Sequence, residues 1–178
     1  YGCQIVYALR DSLEKLPKEN IRNYLKVELK NTSSILRRIV LHVINIRYKE
    51  FRDLFWEYEG NPLIDAIAKH EQYELLKNHS KEFSSGEIQK ILNWIEEIEP
   101  SKSFNAINEK EWAHKNLAYK KKEWLTALIE TNNKAVVELF EKQNTISGGE
   151  IEHPGFSSWS SGMFGNTTPL TVKDLAAM

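Results

Sequence analysis

The chain has 178 residues and a formal net charge of −1, because 24 Lys and Arg residues are balanced by 25 Asp and Glu residues. This balance gives the chain no overall attraction for nucleic acid or for an anionic membrane. Apolar residues make up 41% of the chain, which excludes a disordered polypeptide. Cys3 is the only cysteine, so a disulfide framework and a cysteine-based metal site are also excluded.

The first two helices are predicted from apolar residues that recur at helical spacing from the start of the chain. Pro17 is expected to end the first helix, and the polar residues 31–34 to end the second. The apolar faces of these helices are predicted to contain Ile5, Ala8, Leu9, Leu13, Leu16, Ile21, Tyr24, Leu25 and Leu29.

The stretch 32–58 has the densest apolar pattern, and we expect the rest of the chain to pack around it. It predicts two consecutive helices with a break between Asn45 and Tyr48, and the Gly-Asn-Pro motif at 60–62 is expected to follow the second of them. The predicted buried face contains Ile35, Leu36, Ile39, Val40, Val43, Ile44, Phe51, Leu54, Phe55 and Tyr58.

Four further helices are predicted after residue 62. A weaker helical pattern over 69–83 is followed by a capping box, in which Ser84 is the N-cap and Glu87 lies three residues on. The helix that this box opens is expected to stop at Pro100. A polar linker over 101–108 then leads to a long helix over 109–129, and a final helix is expected after Asn132-Asn133.

An internal repeat is visible when residues 134–140 (KAVVELF) are aligned without gaps with residues 49–55 (KEFRDLF). Lys, Leu and Phe are identical at the first, sixth and seventh positions of the two segments. The offset between them corresponds to about two units of the ~40–47 residues typical of HEAT and armadillo repeats. The helix at 84–98 would then belong to the intervening unit.

These patterns predict an all-α fold of antiparallel helix pairs. Residues 1–143 are expected to form a HEAT/armadillo-like helical repeat, an α-α superhelix. Residues 144–178 are expected to form an irregular Gly/Ser/Pro-rich linker, in which Thr171 starts a further helix. Because the chain begins and ends within predicted helices, we expect it to be a fragment of a longer protein.

Two motifs resemble catalytic or metal-binding patterns but lack essential parts. Glu111-x-x-His114 has the spacing of di-iron helical bundles, which need a second such motif. The segment 155–159 lacks the final glycine of a nucleophile elbow. His42, in the most apolar helix, is interpreted as a buried histidine with satisfied hydrogen bonds. No catalytic residue, cofactor or metal site is expected.

The glycine-rich tail carries four large apolar side chains: Phe156, Trp159, Met163 and Phe164. If they are exposed, they would form a binding site for a partner. If they pack back, they would hold the loop against the helices, and we favour this second interpretation.

The densest basic positions are Arg37, Arg38, Lys120, Lys121 and Lys122. Acidic residues are interleaved with them, so a solvated face is favoured over a nucleic-acid contact. Lys120 to Lys122 interrupt the apolar face of the long helix, and we expect them to point outward or to extend their charged ends into water.

The segments 153–159 (HPGFSSW) and 168–175 (TPLTVKDL), with Gly165 between them, resemble a linker in the helical-repeat regions of large multidomain bacterial proteins. These proteins are NTPase-like or sirtuin-like and are of the kind linked to anti-phage defence. The segments LRRIVLHVI, YELLKNH and EIQKILNWIE are similar to the helices that precede that linker.

The resemblance implies a non-enzymatic scaffold or sensor segment of a cytoplasmic protein. Its expected partners are other domains of the parent chain or another protein, and neither nucleic acid nor a membrane. The alternative is a helical module of a multidomain NTPase or restriction-type system that contacts nucleic acid through the basic positions named above.

Overall fold

The computed structural model describes residues 2–100, 109–149, 151 and 154. Within these residues the chain forms eight α-helices and three 3-10 turns and no β-strand, which confirms the all-α class for this part of the chain. The helices are α1 (Gly2–Lys15), α2 (Lys18–Glu28), α3 (Ser34–Ile46), α4 (Tyr48–Trp56), α5 (Lys69–His79), α6 (Ser85–Glu96), α7 (Glu109–Thr126) and α8 (Lys134–Ser147). The turns are Pro62–Ile64, Ser80–Glu82 and Ile129–Thr131.

Two predicted helix boundaries are confirmed in detail. Arg47 alone separates α3 from α4, inside the predicted break. The capping box is also present, because the Glu87 amide donates to Ser84 Oγ and the Ser84 amide donates to the Glu87 carboxylate. The long helix ends at Thr126 rather than at Ile129. A turn replaces its last residues, and it leads to Asn132 in the left-handed region at φ 52°.

The core is centred on α3 and α4, as the apolar density of 32–58 predicts. Val43, Ile44, Phe51 and Phe55 are each at most 1% exposed. The assignment of Ile35 to the buried face is wrong, because its side chain is 54% exposed. It lies in the first turn of α3, outside the stretch of that helix that its neighbours cover.

Helices α1, α3, α5 and α7 are joined in one row, in which α3 and α5 run in the same direction. Arg38 on α3 pairs with Glu71 on α5, and Asn78 on α5 donates to Asn45 on α3. Both contacts join residues 33 positions apart, so α3 and α5 are parallel and in register. The neighbouring helices of this row are joined by the pairs Glu14–His42, Lys69–Glu123 and Tyr73–Thr126.

Helices α2, α4 and α6 lie in a second parallel row. The pairs Arg22–Asp53 and Lys26–Glu57 join α2 to α4 at a common separation of 31 residues. The pair Arg52–Glu87 joins α4 to α6, and the Trp56 and Trp94 rings stack with centroids 6.0 Å apart. Each of these helices therefore contacts the helix two places along the chain as well as its immediate neighbour.

Helix α8 packs against α7 through an apolar face. Trp124, Leu125 and Leu128 are buried in this region, and so is Val136. Of the two aligned segments of the repeat, 49–55 covers most of α4 and 134–140 begins α8. The antiparallel pairing and the superhelical path stay predictions.

Some predictions concern residues outside the described part of the chain. They are the linker 101–108, the side chains of Phe156, Trp159, Met163 and Phe164, and the helix start at Thr171. Within the described ranges, no helix has both the length and the apolarity needed to cross a membrane.

Candidate functional site: cationic caps on helix ends

Four helices end against a cationic side chain from another part of the chain, and a fifth, α3, ends against the imidazole ring of His79. The last carbonyl groups of a helix have no partner within the helix and carry partial negative charge, so a cation there is stabilising. The capping residues are Arg47 on α1, His79 on α3, Lys90 on α4, Lys121 on α6 and Lys122 on α8. We call Arg47, Lys90, Lys121 and Lys122 the cationic caps.

Arg47, the residue between α3 and α4, caps α1. Its Nη1 donates to the Leu16 carbonyl at 2.6 Å. The rest of its guanidinium pairs with both carboxylate oxygens of Glu50. The hydrogen bond from Arg47 holds the pKa of Glu50 below its usual range. This cap therefore joins the end of α1 to the start of α4.

Lys90 and Lys121 cap two neighbouring helices. Lys90 Nζ donates to the Trp56 carbonyl at 2.8 Å and lies 5.0 Å from the centre of the Trp94 ring. Lys121 Nζ donates to the Glu96 carbonyl at 2.8 Å. Partial burial lowers the pKa of Lys121. Each of these lysines therefore joins its own helix to the end of another helix. Lys90 joins α6 to the end of α4, and Lys121 joins α7 to the end of α6.

Lys122 contradicts the prediction that all three lysines of the run point to solvent. Its side chain is 1% exposed, and burial lowers its pKa. Nζ donates to Asn144 Oδ1 at 3.1 Å, to the Gly148 carbonyl at 2.8 Å and to the Gly149 carbonyl at 2.7 Å. An ammonium group has three hydrogens to donate, and here each of them has an acceptor.

The two glycines make this arrangement possible. Gly148 and Gly149 have φ of 59° and 68°, in the left-handed region that residues with a side chain rarely adopt. The turn brings both carbonyl groups to the ammonium group of Lys122. The sequence signal was the Gly-Gly pair directly after a helix, but nothing in it connects that pair to a lysine 26 residues earlier.

The predicted nucleic-acid residues on α3 are engaged in ion pairs. Arg37 lies 3.0 Å from the Asp65 carboxylate, and Arg38 lies 2.9 Å from Glu71. Lys120 is half-buried on α7. Together with the lysine caps, Arg37, Arg38, Lys121 and Lys122 each have a protein oxygen as a partner.

The other candidate groups are placed as follows. His42 is half-buried, with Nε2 3.0 Å from Glu14. Glu111 pairs with Lys115, and His114 is exposed. Across the described ranges, no three His, Cys, Asp or Glu side chains are grouped closely enough to hold a metal ion.

An aromatic cluster around Tyr48 is a feature that sequence reasoning missed. The Tyr48 and His79 rings stack with centroids 4.0 Å apart and planes 14° from parallel. Trp56 Nε1 donates to the Tyr48 hydroxyl at 2.9 Å. His79 Nδ1 lies 3.0 Å from Glu82, and Nε2 lies 2.8 Å from the Asn45 carbonyl. The cluster thus connects the ends of α3 and α5 to α4.

Three exposed isoleucines lie near the first turns of α3 and α5. Ile35, Ile64 and Ile67 are 54%, 64% and 59% exposed. The register of 33 residues sets Ile35 beside the start of α5, which begins two residues after Ile67. Ile64 adjoins Asp65, the ion-pair partner of Arg37 on α3. We call Ile35, Ile64 and Ile67 the isoleucine patch.

Comparison of this chain with protein-family models, curated proteins and solved structures gave no match.

Proposed function

We propose that the chain is a non-enzymatic helical-repeat segment, which serves as a scaffold or sensor surface in a larger bacterial cytoplasmic protein. Its partners would be other domains of the parent chain or another protein. The observation that carries this proposal is the pair of parallel helix rows, in which the spacing of contacts recurs along the chain. Repeat proteins are built in this way, because each unit packs only on its neighbours and the stack leaves a long surface for binding.

In this proposal the helices form antiparallel pairs on a HEAT/armadillo-like superhelical path. A role in anti-phage defence rests only on the resemblance of the tail segments to the linker of such proteins. The isoleucine patch supports a contact role, since neighbouring exposed apolar side chains are a common feature of binding surfaces. It lies at one end of the row that contains α3 and α5.

The nucleic-acid alternative has less support. Arg37 and Arg38 already pair with carboxylates, and the ammonium group of Lys122 is buried. A nucleic acid would have to compete with these partners for the same cations.

The contact role is tested by titrating the flanking domains of the parent protein, expressed as separate polypeptides, against this chain. We expect the double variant Ile64→Glu/Ile67→Glu to weaken binding by about tenfold or more, which corresponds to about 1.4 kcal/mol. Ile46→Glu is the matched control, because Ile46 is 55% exposed at the opposite end of α3. Absence of binding, or equal loss in the control, would refute the proposal.

A further inference from the structure

We propose that His79 is a proton-dependent contact, whose doubly protonated imidazolium form ties the end of α3 to the end of α5. Neither the scaffold role nor the isoleucine patch is needed for this inference. It rests on the two hydrogen bonds of the His79 ring.

Both nitrogens of the ring face an atom that can only accept a hydrogen bond. Nε2 lies 2.8 Å from the Asn45 backbone carbonyl oxygen and 3.1 Å from the Asn45 side-chain oxygen Oδ1, and Nδ1 lies 3.0 Å from Glu82 Oε1. A carbonyl oxygen and a carboxylate oxygen have no hydrogen to donate. Each ring nitrogen must therefore carry a hydrogen, and only the imidazolium ion carries both. A neutral ring would set a lone pair against at least one of these oxygens.

The surroundings on α3, α5 and the 80–82 turn favour the positive charge. The Asn45 carbonyl belongs to the last turn of α3, where the helix has partial negative charge. The hydrogen bond from His79 lowers the pKa of Glu82, which keeps that carboxylate ionised at neutral pH. The face of the Tyr48 ring, stacked on the imidazole, adds a further attraction for a cation.

The charges on α4 and α6 balance each other. Lys49 and Arg52 on α4 both act on Glu82 and lower its pKa further. Arg52 also pairs with Glu87 on α6 at 2.5 Å and lies 5.5 Å from the Tyr48 ring centre. Two cations thus face two carboxylates, so the net charge of these groups does not by itself favour the neutral form of His79.

His79 differs from the cationic caps because only histidine changes charge in the physiological pH range. At the other end of the α3–α5 contact, Arg37 and Arg38 stay charged at any such pH. Loss of the His79 proton would therefore loosen one end of this contact and leave the other end closed. The closed form binds one more proton than the open form, so raising the pH favours opening.

The first test is NMR spectroscopy of the ¹⁵N-histidine-labelled chain, with the His79 signals assigned by their loss in His79→Gln. We expect both ring nitrogens of His79 to show protonated shifts at neutral pH. A single protonated nitrogen in His79 at neutral pH would overturn the proposal. The shifts are measured on the unaltered protein, and His79→Gln serves only to assign the signals.

The second test compares the unfolding equilibrium of the unaltered chain with that of His79→Gln between about pH 6 and about pH 8, on either side of the ordinary histidine value. Glutamine keeps one donor but cannot carry the charge. We expect the folding equilibrium constant of the unaltered chain to exceed that of His79→Gln by roughly 2- to 30-fold at the lower pH, which is the range for a cation at a helix C-terminus. This ratio should decrease as the pH rises. The control His114→Gln should leave the pH dependence unchanged. A ratio of the two equilibrium constants that does not change with pH would contradict the proposal.

Discussion

Cations hold together the α2–α4 region and the α7–α8 region, but they do so in different ways. Arg22 and Asp53, between α2 and α4, keep 39% and 40% of their side chains in water. Lys122, between α7 and α8, is only 1% exposed. An exposed pair can exchange its partner for water, so it contributes little individually. A buried ammonium group cannot, and all its hydrogens need protein acceptors.

This difference shows how the relative position of two helices is set, and how the path of the chain after a helix is set. Several exposed pairs with a common spacing fix the relative position of whole helices, and no single pair is essential. One buried cation fixes a single turn of chain, Gly148-Gly149, and depends on every one of its contacts. The following predictions measure this contrast, beginning with the core that both regions share.

Removal of a core side chain should have the largest effect. Phe55→Ala and Leu92→Ala should lower the free energy of unfolding by about 2–5 kcal/mol, because each removes a large side chain from a buried site. Urea unfolding followed by circular dichroism provides the measurement. Ile64→Ala is the control, since Ile64 is 64% exposed. A loss below about 0.5 kcal/mol at both core positions would show that the buried faces are misassigned.

Removal of the buried cation should have the next largest effect. Lys122→Met should lower the free energy of unfolding by about 1–3 kcal/mol, the range for leaving a buried polar group without its partner. Lys134→Met is the matched control, because the Lys134 side chain is 90% exposed. An equal change in the free energy of unfolding in the two variants would mean that Lys122 is as solvated as an exposed lysine.

The helices could be predicted from the sequence because apolar periodicity reports which face of a helix is buried. Val43 and Ile44 on α3 are assigned in this way, and both are fully buried. The parallel rows could not be predicted, since the register of α3 against α5 depends on contacts between residues 33 positions apart. The burial of Lys122 was missed for the same reason, because its acceptors lie beyond the end of another helix.

An exposed ion pair should have a smaller effect that depends on pH. The hydrogen bond from Arg22 lowers the pKa of Asp53 in the folded chain. Its stabilisation is therefore present above the ordinary aspartate value of about 3.9 and disappears as the pH falls through the lowered folded value. Asp53→Asn should lower the free energy of unfolding by at most about 1 kcal/mol at neutral pH, and by less in acid. Acid-titrated unfolding curves that stay a constant distance apart would disprove this assignment.

Nucleic-acid binding should show the smallest effect. We expect only weak binding that disappears near physiological salt of about 0.15 M, because the basic positions already have protein partners. Fluorescence anisotropy with labelled DNA and RNA across a salt series measures this. Tight binding at physiological salt that is lost in Lys120→Ala/Lys121→Ala would instead favour the nucleic-acid module.

Crosslinking between α3 and α5 tests the parallel rows most directly. In a Cys3→Ser background, cysteine pairs are placed at the ends of the two helices and treated with a short bismaleimide. The parallel register predicts efficient crosslinking for Arg38→Cys/Glu71→Cys and for Asn45→Cys/Asn78→Cys, whose native side chains are in contact. The crossed pairs, Arg38→Cys/Asn78→Cys and Asn45→Cys/Glu71→Cys, should not react. Efficient crosslinking of the crossed pairs alone would mean that α3 and α5 are antiparallel, which would contradict the two-row arrangement.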